Sequence, residues 1–134
     1  MSAETSLSLL LQSMQPKLQD GEYVFCSISM EQARQLTVTP IGQFQEAEGI
    51  SLILTRSEAE KSGFPYEYCA KMITLTVHSS LAAVGFLATI LGKLAEHGIS
   101  VNPVSAYYHD HLFVPMEKAT QVMQLLSDLS QVSE

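Results

Sequence analysis

The residues of this chain best suited to chemistry are three imidazoles and a carboxylate. His78 lies in Val77-His78-Ser79-Ser80-Leu81, and His109, Asp110 and His111 lie in one run after Tyr107-Tyr108. Imidazole with carboxylate suits zinc or another transition metal, and His109 and His111 at spacing two can share a face with His78. No fourth ligand accompanies them, so no metal is assigned. Ser79 and Ser80 beside a histidine lack the GxSxG elbow of an activated serine. No phosphate-binding loop or dinucleotide fingerprint occurs in the chain. The chain is expected to be non-enzymatic and to use no cofactor.

A second chemistry fits the serines better. Met72 to Val77 alternates with period 2, whereas Leu81 onward follows helical spacing, so Ser79-Ser80 marks a strand-to-helix hand-over. Free N–H groups at a helix start receive anions, and the expected first turn, Leu81-Ala82-Ala83, holds no Asp or Glu to occupy them. A ligand carboxylate can take that place. Asp110 then complements a ligand ammonium group, while Asn102 and the backbone around Val104 supply further hydrogen bonds. The plain alternatives are a serine N-cap and a polar hairpin tip.

The elements that must position these groups follow from period and punctuation. Leu7, Leu10, Leu11 and Met14 trace a helix closed by Pro16 and Gly21, and Glu22 to Ile28 reads as a strand. Ser29 with Gln32 and Thr55 with Glu58 are two capping boxes, each starting a short helix. Between them Ile41–Glu46 and Ile50–Thr55 form a hairpin, and Gly63 with Pro65 ends the second helix. In the second half a strand over 72–77 precedes a helix from about Leu81 to His97, ended by Gly98. A strand over 99–107, a turn at Tyr108–His111, a strand at Leu112–Val114 and a final amphipathic helix follow. Gly85, Ala88, Gly92 and Ala95 form a small-residue stripe that implies close packing of the long helix on the sheet.

Both halves thus read β-α-β-β-α, and the extended segment from Tyr66 to His78 is long enough to end one unit and begin the next. The fold class expected is α+β: two tandem ferredoxin-like βαββαβ units with antiparallel sheets that share or swap strands. The units are placed at 1–70, with a leading helix, and 71–134. In such a sheet the strand ending at His78 finishes beside the hairpin Tyr108–His111, so residues thirty apart in sequence converge.

Composition narrows the partners. Fourteen acidic against seven basic residues give a net charge of −7, which repels nucleic acid. The apolar run around Leu81–Leu91 is too short and too interrupted for a membrane span of ~20 residues. The start Met1-Ser2-Ala3-Glu4 lacks a basic secretory n-region, so a cytoplasmic protein is expected. Cys26 and Cys69 are isolated in apolar runs and read as inert thiols.

Four blocks carry a family resemblance: Gly21–Ser27, Glu48–Leu54, Val77-His78-Ser79-Ser80-Leu81 with Val84-Gly85, and Tyr107–Pro115. Together they resemble small bacterial tandem ACT-like proteins, whose relatives include amino-acid-binding regulatory domains of metabolic enzymes and tandem-ACT arginine sensors. The resemblance implies an ACT-like ferredoxin fold with ligand sites where the loop after a unit's first strand meets a neighbouring unit. Carried onto this chain, that loop runs from His78 through Val84 and Gly85, and the facing strand is 101–105. The candidate ligand-binding set is therefore His78, Ser79, Ser80, Val84, Gly85, Asn102, Val104 and Asp110. Ala82 stands where similar proteins often carry an acid. The resemblance also implies an amino-acid ligand and a homodimer or higher oligomer that completes a larger sheet.

Overall fold

The computed structural model describes residues 6–77 and 83–132. Their contacts divide the chain into two units, Gly21–Ala70 and, composed of two segments, Met1–Asp20 with Lys71–Glu134.

The unit Gly21–Ala70 runs β2 (Tyr23–Ile28), α2 (Met30–Arg34), β3 (Gly42–Gln45), β4 (Ile50–Thr55) and α3 (Arg56–Ser62), and ends in the first residues of β5 (Cys69–Leu75). Its strand order is β3-β4-β2-β5. Antiparallel register sets Val24 opposite Leu54, Cys26 opposite Leu52 and Ile28 opposite Ile50. Because side chains alternate between faces, these six residues form one apolar surface, buried with Ala59 of α3. Both helices begin as the spacing predicts. Ser29 and Gln32 satisfy each other's backbone N–H groups, as do Thr55 and Glu58, and Gly63 closes α3 in the left-handed region at φ 73°.

The other unit is built differently from the expected division at 70/71. The first helix, α1 (Leu7–Ser13), and a short strand β1 (Pro16–Leu18) belong with the C-terminal half rather than with the strand they precede. The reason is burial. Leu10, Leu11 and Met14 enter the core formed by Ile73, Leu75, Phe86, Ile90, Leu94, Leu112, Val114, Val122 and Leu126. After β5 come α4 (Phe86–Glu96), β6 (Asn102–Ser105), β7 (Asp110–Pro115), a 3-10 turn at Met116–Lys118 and α5 (Ala119–Val132).

The strand order here is β1-β5-β7-β6, which is the ferredoxin order with its last strand supplied from the N-terminus. β1 pairs antiparallel with β5, Pro16 opposite Leu75 and Leu18 opposite Ile73. β5 thus serves twice: Cys69 and Ala70 pair with Val24 and Tyr23 as the last strand of one unit, and the rest is the first strand of the other. The chain is α+β, with two ferredoxin-like units that both share and exchange strands.

Three local expectations are corrected. The long helix begins at Phe86, not near Leu81, because Gly85 sits in the left-handed region at φ 89° and takes the N-cap position. The strand expected over 99–107 is only Asn102–Ser105. Gly92, read as a close-packing position, has no atom within 4 Å of where a Cβ would lie, so no close approach explains it.

Candidate functional site

The end of the sheet where β5 leads toward α4 gathers the chemistry-bearing residues of this unit. His109 Nδ1 lies 3.4 Å from the carbonyl oxygen of Val77, which places the β6–β7 hairpin beside the end of β5, as the topology argument required. His111 Nδ1 is 3.0 Å from the Thr74 hydroxyl, which accepts a 2.9 Å hydrogen bond from Gln19 Nε2. The Thr74 hydroxyl thus links the Gln19 amide to the His111 ring. Burial, reinforced by His109 and opposed by Asp110, pushes the His111 pKa below the ordinary histidine value.

Asp110 is 8 % exposed and accepts a 2.5 Å hydrogen bond from the Ser105 hydroxyl directly across the β6–β7 ladder. It shares strand parity with Leu112 and Val114, so it lies on the face of the sheet that the helices cover.

The candidate set is brought together only in part. His78, Ser79 and Ser80 lie outside the described residues, as does Ala82. Gly85 caps α4 without a side-chain hydrogen bond, and no acid stands in the first turn; Val84 beside it is 85 % exposed. Asn102 and Val104 pair opposite Phe113 and His111. The period-2 alternation therefore puts them on the face opposite to Asp110, and Asn102 stands three residues along the ladder from the Ser105–Asp110 pair. His109 and His111 have ring centroids 6.4 Å apart. Among the described residues no three His, Cys, Asp or Glu side chains are grouped to hold a metal.

Residue spacing alone missed two clusters. One is the Gln19–Thr74–His111 chain, invisible because β1 reads as a loop beside Pro16. The other is in the unit Gly21–Ala70, where Arg56 bonds Glu22, Glu60 and Tyr66. Only its Arg56–Glu60 spacing of four was legible. In the same unit a cavity of about 290 Å³ is lined by Gln32, Gln35, Leu36, Thr37, Ser62 and Phe64. Cys26 and Cys69 are free thiols, and burial raises the pKa of each.

Residues 2–71 match the ACT domain family, and residues 69–128 match an ACT domain family in turn. A Vibrio cholerae protein of unknown function is 47% identical over 93% of this chain and 96% of its own, with a TM-score of 0.84. An Agrobacterium tumefaciens protein is 14% identical over 87% of this chain and 89% of its own, at TM-score 0.68. The regulatory subunit of aspartate kinase from Thermus thermophilus, in its ligand-free form, is 9% identical over 89% of this chain and 97% of its own, at 0.64. The last two show likeness of fold. None of the curated proteins matches the chain. No helix among the described residues is long and apolar enough to cross a membrane.

Proposed function

This chain belongs to the ACT-domain family, and on that premise we propose that it is a non-enzymatic regulatory module binding an amino acid or similar small metabolite. The site proposed is the end of the sheet where β5 leads to α4. The backbone N–H groups after Gly85 receive the ligand carboxylate; His78, Ser79 and Ser80 are assigned to the same site from the sequence, and the exposed Val84 borders it. Asp110 complements the ammonium group; Asn102 and Val104, on the other face of the sheet, take no part in it. The two repeats are assigned to residues 1–70 and 71–134, the leading helix and β1 being lent by the first to the second.

The observation that carries this reading is a contrast between helix starts. α2 and α3 are each closed by a complete capping box with their own acid in the first turn, whereas α4 begins at Gly85 with neither. A helix start left with its donors and its partial positive charge suits a carboxylate from outside.

The test is a thermal-shift screen of the twenty amino acids at millimolar concentration. A ligand at about a hundred times its Kd stabilises the chain by ~2.7 kcal/mol, so one or a few should raise the melting temperature. Ser79→Ala and Asp110→Asn should each abolish that rise. A flat screen sinks the reading.

A second reading, an interaction protein without a ligand, is favoured by β3. This edge strand, Gly42-Gln43-Phe44-Gln45, carries no charge, and Phe44 is 72% exposed with Ile41 beside it at 51%. Neutral edge strands with exposed apolar residues invite another strand. It predicts a homodimer or higher oligomer, visible by sedimentation velocity, whose association constant is unmoved by any metabolite.

A further inference from the structure

His109 and His111 are the chemistry-bearing groups that the site at Gly85 leaves unused. Both are half-buried. His111 lies in β7, one position from Asp110, so alternation puts it on the face of the sheet opposite to that carboxylate. The His109 ring stands beside it, 6.4 Å away between centroids, with the two planes at 79°.

Each ring is anchored through the same atom. His109 Nδ1 lies 3.4 Å from the Val77 carbonyl oxygen, and His111 Nδ1 lies 3.0 Å from the Thr74 hydroxyl. A carbonyl oxygen only accepts, so a hydrogen bond to Val77 requires the proton on Nδ1 of His109, and the Thr74 hydroxyl accepts as readily as it donates. Histidines that ligate metals are held in this manner: the nitrogen turned away from the ion donates to a fixed acceptor, which sets the tautomer and leaves the lone pair on the other nitrogen. The acceptor for His111 is itself part of the sheet. Thr74 is 4% exposed and bonds Gln19 Nε2 at 2.9 Å, so the anchor joins the course of β1 to β5 and β7.

We propose that His109 and His111 together bind a divalent first-row transition-metal ion of the zinc class through Nε2 of each ring. Two imidazoles that hold one ion at about 2 Å in tetrahedral geometry have centroids roughly 5 Å apart. The rings therefore close by roughly 1 Å, a torsional adjustment for half-buried side chains. Imidazole nitrogen selects zinc, nickel or copper over magnesium and calcium, which take oxygen ligands. Among the described residues no third His, Cys, Asp or Glu is grouped with the pair, so the site is open, with its other positions left to water or to a small donor, and the ion exchanges rather than serving as a structural zinc. The net charge of −7 raises the local concentration of cations. Because Asp110 faces the other way, this site and the one at Gly85 stand or fall separately.

The probe is Zn2+, titrated calorimetrically into the untagged full chain in a buffer above the ordinary histidine pKa. One ion should bind per chain at submillimolar concentration, and Mg2+ should bind at least tenfold more weakly. His109→Gln and His111→Gln should each weaken Zn2+ at least tenfold while far-UV circular dichroism stays as in the parent chain. His97→Gln and Cys69→Ser are the controls and should leave it unchanged; His97 has a similar Nδ1 contact, 3.1 Å from the Lys93 carbonyl oxygen, but belongs to the end of α4. Long-range proton–nitrogen spectra of the imidazole rings give a readout that does not depend on substitution: Zn2+ should move the Nε2 resonances of His109 and His111 and leave that of His97 in place. The proposal is overturned if Zn2+ does not bind, if Mg2+ binds as tightly, if both single variants keep the parent affinity, or if Zn2+ binds with the two Nε2 resonances unmoved.

Discussion

Truncating Leu10 to alanine is the sharpest probe of the exchanged N-terminal segment. Leu10 is fully buried in the cluster that contains Leu126, and α1 packs on α4 and α5. A seven-residue helix is far too short to be stable alone, so α1 exists because Leu10, Leu11 and Met14 are buried in that core. Removing a fully buried leucine side chain costs the lost transfer free energy plus a cavity term, together about 2–5 kcal/mol. Leu9, in the same helix, is 50% exposed, and its truncation should change stability by less than ~0.5 kcal/mol. The assay is urea denaturation of both variants. It is extended by two double-mutant cycles, Leu10→Ala with Leu126→Ala and Leu10→Ala with Leu54→Ala. Residues sharing a core couple by roughly 0.5 kcal/mol or more, whereas distant sites add within ~0.3–0.5 kcal/mol. Leu54 is buried in the other unit's core, so coupling is expected in the first cycle alone. A Leu10→Ala cost below ~1 kcal/mol, or coupling to Leu54 and not to Leu126, would refute membership of α1 in the C-terminal unit's core.

Three further outcomes follow from local geometry. Burial depresses the His111 pKa, so the unfolded chain takes up a proton there first as pH falls below about 6.5. The contribution is whole above that value and is lost as pH falls through the folded pKa, by at most ~1.4 kcal/mol per pH unit; His111→Asn should flatten urea midpoints measured across that window. Gly85→Ala places a side chain at φ 89° where only ordinary contact with Leu7 at 3.7 Å awaits it, so backbone strain alone should cost roughly 1–2 kcal/mol, read as a lowered melting temperature. Ser29→Ala removes the acceptor for the Gln32 N–H at 3.0 Å and should cost about 1 kcal/mol by the same measurement.

What was legible in the sequence was what local chemistry decides. The capping boxes at Ser29 and Thr55, the left-handed stop at Gly63 and the alternation of β2 and β4 are each settled by residues within a few positions of one another, and the structure bears them out. The double service of β5 was also readable, because a stretch from Tyr66 to His78 is too long for one strand of a small sheet. What was hidden is the destination of β1. Pro16-Lys17-Leu18 has no alternation to declare a strand, and its pairing with residues 73–75 is a long-range choice made by the burial of Leu10, Leu11 and Met14.

The candidate sites divide along the same line. The convergence of His109 and His111 on the end of β5 follows from strand order, which patterning reveals. The separation of Asn102 and Val104 from Asp110 depends on the parity of a four-residue strand, and a one-residue error in its start moves every side chain to the other face. The start of α4 turned on a single dihedral. Period and composition extend the helix back to Leu81, but a glycine at φ 89° ends it at Phe86, and only the packing around Gly85 decides which of its allowed conformations that glycine takes. Arg56 is the opposite case: residues 22, 56, 60 and 66 meet because Glu22 immediately precedes the strand paired with the one that leads into Arg56. A cluster assembled by strand pairing rather than by a contiguous motif leaves no signature in one sequence.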